Sequence, residues 1–210
     1  DIDLARASLY IAGTEYPDLD IDHYVQLLDR LAEDAARRNP GAGDLRESAR
    51  QLSEFLFVEL GFRGNGDDYY DPKNSYLNQV LDRKLGIPIT LSLTYMEVAR
   101  RLGMVFEGIG LPGHFVIRTG PPADELYVDP FNGGQLLSRE DCRRTVENLF
   151  EGRVEFREEH LQPYTKKAFL VRILTNLKHN YFRTEDYGKA LTTSDPISII
   201  EPTSADNVRD

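Results

Sequence analysis

At 210 residues, with 40% apolar and 10% aromatic content, the chain can bury one substantial core, or a core with a small helical appendage, and is too apolar for disorder. A formal net charge of -10 without a basic stripe argues against nucleic acid and anionic membranes as partners, because phosphate affinity needs clustered Lys and Arg. No apolar run approaches the ~20 residues that span a bilayer, no secretory signal opens the chain, and the single cysteine, Cys142, permits no internal disulfide; a cytoplasmic protein is expected.

In chain order, residues 1–12 suit a short helix that covers a core with Ile2, Leu4, Leu9 and Ile11. A second helix is predicted over 20–38, where Tyr24, Leu27, Leu28, Leu31 and Ala35 recur at helical spacing and Asp20 or Asp22 supplies the cap. Residues 39–43 read as a loop, and a third helix is predicted over 44–60, ended by Gly61. The polar, Gly-rich stretch 62–73 reads as a surface loop, and its Asp67, Asp68 and Asp71 lack the ordered spacing of a calcium loop.

Asn74 or Ser75 is the expected cap of a helix carrying Leu77, Val80, Leu81 and Leu85 on one stripe and closed by Gly86. Pro88 then opens a helix to about Leu102 that is apolar on most sides, as central helices are. Its polar stripe is Thr90, Thr94, Glu97 and Arg101, with Ser92 on another face. Beyond Gly103 come three short β-like runs, 105–109, 115–118 and 125–128, with a turn at 120–122 between the last two. Ser138 caps a predicted helix over 139–150, and 153–157 is a candidate edge strand. From Pro163 the pattern is helical, with Phe169, Leu170, Ile173, Leu174, Leu177 and Tyr181 on one face. NLKHNYFRTEDYGKAL followed by Pro202 has the pattern of one tetratricopeptide repeat, in which Pro196 is expected to break or kink the second helix.

Taken together, DIDLARASLYIAGTEYPDLD, NSYLNQVLDRKLGIPITLSLTYMEVARRLG, GLPGHFVIR, VDPFNGGQLLSREDC and the NLKHNYF segment resemble the bacterial SirB-type proteins, transglutaminase-like proteins with tetratricopeptide repeats. The resemblance covers nearly the whole chain. It implies an α+β fold: a helical N-terminal region over 1–62, a transglutaminase/papain-like core over 63–159 built from a central helix and an antiparallel sheet, and tetratricopeptide-like helices over 160–210, as the start of a longer array. Active members carry a cysteine at the start of the central helix, a histidine on the next strand and an aspartate on the one after. Such a thiolate is generated by the imidazole and oriented through the carboxylate for acyl transfer. His114 and Asp129 match the last two, whereas the helix start, GIPITLS over 86–92, holds no cysteine.

Two readings follow. One is a catalytically degenerate domain that binds a protein or peptide in a groove lined by Pro112, Gly113, Phe131, Asn132 and Gly133. The other is an amide or ester hydrolase, or an acyltransferase, in which Ser92 or Thr90 replaces the cysteine beside His114 and Asp129. A hydroxyl depends on a well-placed base, and in the alternative role Thr90 and Ser92 simply bond to the helix backbone. His114 and Asp129 are expected to be in contact in either case. Cys142, next to Glu140 and Asp141, reads as a buried structural thiol. His23, His160 and His179 are too dispersed for a metal site, and no cofactor or metal is expected.

Overall fold

A computed structural model describes residues 2–38, 44–121 and 124–200 of the chain. Short polar residues start several of its helices. Asp3 accepts from the Arg6 N–H ahead of α1 (Leu4–Gly13), and Asp20, rather than Asp22, accepts from the His23 N–H at the start of α2 (Ile21–Arg38). Asp44 does the same for α3 (Leu45–Ser53) through the Glu47 N–H. The helix expected to reach residue 60 instead widens into a π-helical turn, Glu54–Glu59, closed by the Leu60 N–H donating to the Phe55 carbonyl. The wider turn lets the adjacent Phe55 and Leu56 both reach the core, which a regular helix face does less well.

Residues 62–73 are not a plain surface loop. Arg63–Gly64 (β1) pairs in parallel with Leu85–Gly86 (β2), Asn65 is buried, and Pro72–Ser75 forms a 3-10 turn. Tyr76, not Asn74 or Ser75, is the N-cap of α4 (Leu77–Arg83), and Lys84 in the left-handed region (φ 58°), not Gly86, ends it. Gly86 is needed for closeness instead, since a Cβ there would lie 2.9 Å from the Thr90 hydroxyl and 3.0 Å from Leu91.

The next helix, α5 (Pro88–Arg101), is the centre of the molecule, with Leu93, Tyr95, Val98 and Ala99 wholly enclosed. Most of its polar stripe lies inside the molecule. Thr90, Thr94 and Glu97 are buried, Arg101 donates to both Glu97 and Asp29 of α2, and the Tyr95 hydroxyl donates to the Ala49 carbonyl of α3. Helices α1, α2 and α4 and strands of both sheets pack against α5, so its polar groups become tertiary links.

Four short strands, β3 (Glu107–Ile109), β4 (Val116–Thr119), β5 (Leu126–Asp129) and β6 (Gln135–Leu137), form an antiparallel meander in that order. β6 was not expected, because three residues after two glycines carry little periodicity. Ile117 pairs with Val128 and Val128 with Leu136. Alternation then sends Phe115, Ile117, Leu126 and Val128 into the main core, while Val116 and Tyr127 join a second cluster with Cys142 and Val146 of α6 (Arg139–Leu149). Residues 153–157 form no strand. The edge of β3 is occupied instead by Pro163 and Tyr164, the latter donating its N–H to the Gly108 carbonyl at 2.8 Å.

The chain finishes its described course in a hairpin of α7 (Lys166–Arg183) and α8 (Tyr187–Ile200), with Phe169, Ile173 and Leu177 buried in the main core. The Tyr181 and Tyr76 hydroxyls meet at 2.6 Å and tie α7 to the body. Pro196, expected to break or kink the helix, does not break it: α8 runs from Tyr187 to Ile200. Burial of Ala190 and Ile197 holds it, against the ~3 kcal/mol that an interior proline costs a helix. Residues 39–43 and Pro202 lie outside the described residues, as does part of the 120–122 turn.

Candidate functional site

The geometry of His114 starts from a tight turn. Gly113 adopts φ +69°, which suits a residue without a Cβ, and the His114 N–H donates to the Leu111 carbonyl at 3.1 Å. Phe115, sunk in the core, fixes the following backbone. Asp129 stands at the end of β5, on the Tyr127 face. Its Oδ2 lies 2.8 Å from His114 Nε2 and accepts from the Asn132 amide at 2.8 Å, while Oδ1 accepts the Phe131 and Asn132 N–H groups at 3.1 and 3.2 Å. The sequence pairing of His114 with Asp129 is therefore realised in a contact where the two residues are only 6% and 3% exposed.

Burial by itself raises the pKa of a carboxyl, but the bonds from His114 and Asn132 outweigh it and hold Asp129 below the ordinary carboxylate range. The Asp129-Pro-Phe-Asn-Gly-Gly turn has a structural purpose of its own. Its backbone folds round the carboxylate, Gly133 and Gly134 take φ +72°, and the Gly134 N–H closes the turn on the Asp129 carbonyl. Asn132, expected to line a groove, is exposed as a residue yet spends its amide on Asp129. Pro112 is half-buried, and Gly113 and Gly133 are exposed.

Phe131, one of the expected groove residues, presents its ring edge-on to His114 (6.1 Å) and to Tyr69 (5.9 Å), and it lies so close to Gly64 that a Cβ there would come within 2.6 Å of the ring. Other neighbours of the pair, Tyr69 and Arg172, were not singled out from sequence. Tyr69 is placed by Asn74, whose amide donates to the Asp68 and Tyr69 carbonyls and whose Oδ1 accepts from the Asn65 amide. Arg172 of α7 donates Nη2 to the His114 carbonyl at 3.2 Å and Nη1 to the Tyr164 hydroxyl at 2.9 Å. A lone arginine between Val171 and Ile173 was the available signal for it, although nothing local connects it to residue 114.

The start of α5 looks elsewhere. Thr90 is fully enclosed, its hydroxyl donating to the Asn74 carbonyl at 2.7 Å and lying 3.2 Å from both the carbonyl and the N–H of Ile87. Ser92 is equally enclosed, and its Oγ has no hydrogen-bond partner among the described residues. Neither hydroxyl is bonded to His114, so two of the four candidate catalytic residues are brought together and two are not. Cys142 is buried on α6. Burial, then the charges of Asp129, Asp141 and Glu125, push its thiol up to about 12, far from thiolate chemistry at neutral pH.

Among the described residues no group of three or more His, Cys, Asp or Glu side chains is gathered to hold a metal, and no helix is long and apolar enough to cross a membrane. The central helix, the following antiparallel sheet and the His–Asp contact accord with a comparison to known proteins, in which the transglutaminase-like superfamily model matches residues 22–175. The chain belongs to the transglutaminase-like superfamily.

Within it, a UPF0162 protein of Xylella fastidiosa is 39% identical over 99% of this chain and 75% of its own length. A UPF0162 protein of Pseudomonas aeruginosa is 31% identical over 96% of this chain and 73% of its own length. F-box only protein 21 of Mus musculus shares 41% identity over 45% of this chain, which is 16% of that protein. No solved structure matches the chain significantly. Bacterial relatives thus follow this transglutaminase-like chain nearly from end to end, and the mouse protein follows a part of it.

Proposed function

We propose that the chain is a catalytically degenerate transglutaminase-like domain of SirB type, serving in the cytoplasm as a protein- or peptide-binding scaffold. On this reading residues 1–62 support a core at 63–159, and 160–210 begin a tetratricopeptide-like helical region. The observation that carries the reading is the contrast at the site. His114 and Asp129 form a closed buried pair, whereas the first turn of α5 offers Thr90 and Ser92 at 0% exposure, with the Thr90 hydroxyl already committed to backbone carbonyls. A nucleophile has to reach both its base and its substrate. On this reading the surface of Pro112, Gly113, Phe131, Asn132 and Gly133 beside the pair serves to hold an extended chain rather than to cleave a bond.

The test combines a chromogenic amide and ester screen with partner capture, using wild type and His114→Ala. The expected outcome is no turnover by either protein and the same captured partners. Turnover that disappears in His114→Ala and in Ser92→Ala or Thr90→Ala would instead establish the hydrolase or acyltransferase reading.

A further inference from the structure

α7 differs in charge from the chain that contains it. Its sequence, KKAFLVRILTNLKHNYFR, has five Lys or Arg and no acidic residue, in a protein of net charge -10. A groove of about 450 Å³ runs along its outer face, lined by Tyr164, Val171, Arg172, Thr175, Asn176 and His179, positions that recur at helical spacing. Most arginines whose contacts are resolved elsewhere meet a carboxylate, as Arg50 meets Glu47, Arg83 meets Asp71, Arg101 meets Asp29 and Arg118 meets Glu107. Arg172 forms no such ion pair among the described residues. Its two hydrogen bonds go to neutral oxygens, the Tyr164 hydroxyl and the His114 carbonyl, and its guanidinium lies 5.4 and 5.6 Å from the Phe115 and Tyr164 ring centroids.

We propose that this groove receives an acidic side chain of an extended protein segment, and that Arg172 is the residue that reads it. A guanidinium has five N–H donors, and two hydrogen bonds leave part of the fork open. The two rings and the two oxygens restrain it, so little side-chain freedom is lost when a carboxylate arrives, and charge-assisted pairs of this kind are about twice as strong as neutral ones. Partial burial of Arg172 strengthens the attraction by limiting screening. His179 donates its Nδ1–H to the Thr175 carbonyl at 3.0 Å, which leaves the carboxylate to Arg172. The bond from Arg172 to the His114 carbonyl places this recognition point directly beside the His114 turn. The inference rests on the groove reading above and adds the chemistry of the segment: an Asp or Glu at the position that crosses α7.

The experiment uses matched arrays of immobilised twelve-residue peptides that differ only by Glu, Gln or Lys at one central position, probed with wild type, Arg172→Lys and Arg172→Gln. Wild type is expected to prefer Glu over Gln by about tenfold, the equivalent of roughly 1.4 kcal/mol, with Lys weakest. Arg172→Lys keeps part of the preference and Arg172→Gln abolishes it. Equal binding of Glu and Gln peptides would overturn the acidic-segment inference while leaving the groove reading intact. Failure to bind any peptide would remove both, and a preference retained by Arg172→Gln would assign it to another site.

Because Arg172 also tethers the His114 turn, wild type itself provides a second measurement that needs no variant to fold. The Arg172 Nε–H NMR resonance is expected to move on titration with N-acetylglutamate amide and to stay still with N-acetylglutamine amide. An unmoved resonance with both overturns the assignment.

Discussion

The first turn of α5 and the His114–Asp129 pair are both built from buried polar groups, and they differ in where those groups are satisfied. At the helix start Thr90 turns its hydroxyl back to Asn74 and Ile87, and so joins the 3-10 turn before α4 to the start of α5. Its hydrogen bonds are used up in holding two elements together. At the pair, Asp129 is saturated by its own turn and by His114, while the other imidazole nitrogen, Nδ1, has no hydrogen-bond partner among the described residues. A polar group that closes a helix junction is structural whatever its chemistry. One held at the mouth of a turn keeps a free edge.

Substitutions can break this comparison, and the largest effect is expected at Asp129. Asp129→Ala strips the acceptor from the Phe131 and Asn132 N–H groups, the Asn132 amide and His114 at once, and is expected to cost on the order of 3 kcal/mol in urea unfolding, as orphaned buried donors do. A loss below about 1 kcal/mol would mean that the turn does not depend on its carboxylate. Thr90→Val comes next. Removing the hydroxyl leaves the Ile87 N–H and the Asn74 carbonyl unmet at a fully enclosed site, for an expected ~2 kcal/mol by the same measurement.

A smaller effect is expected in the pH dependence. The Asp129 pKa is lower in the fold than in the unfolded chain, where it lies near 4, so the unfolded state binds more protons in that range. The stabilisation is complete above about pH 4 and is lost as the pH falls through the depressed folded value. Asp129→Asn should therefore show a flatter loss of stability than wild type between about pH 5 and pH 2, followed by thermal melting. Parallel curves for the two proteins would contradict the depressed carboxyl.

Ser92→Ala is expected to do least, within about 0.5 kcal/mol of wild type or slightly stabilising, because the lost hydroxyl has no partner to forfeit. A cost near that of Thr90→Val would show that Ser92 has a bond of its own, and it would weaken the contrast between the two hydroxyls.

Much of this arrangement was legible beforehand. The apolar circumference of α5, the cap at Ser138, and the strands expected over 115–118 and 125–128 follow from local pattern, and the contact of His114 with Asp129 follows from the motif order of the family resemblance. The misplaced elements share one cause. Gly86 and residues 153–157 were read from the preferences of their own segments, and in each case a neighbour distant in sequence decides the outcome. β1 recruits Leu85–Gly86, and Pro163 and Tyr164 take the edge of β3.

By itself the sequence determined most of the residues that face the core and several that cap, because those depend on side-chain type and short-range spacing, while the pairing of imidazole with carboxylate was read from the family resemblance. The tertiary structure alone decided that Thr90 and Ser92 are enclosed, that Asn74 positions Tyr69 beside Phe131, and that Arg172 reaches the His114 turn from 58 residues away. Burial and the pairing of polar groups across the core are properties of the packed chain, and no local pattern of residues records them.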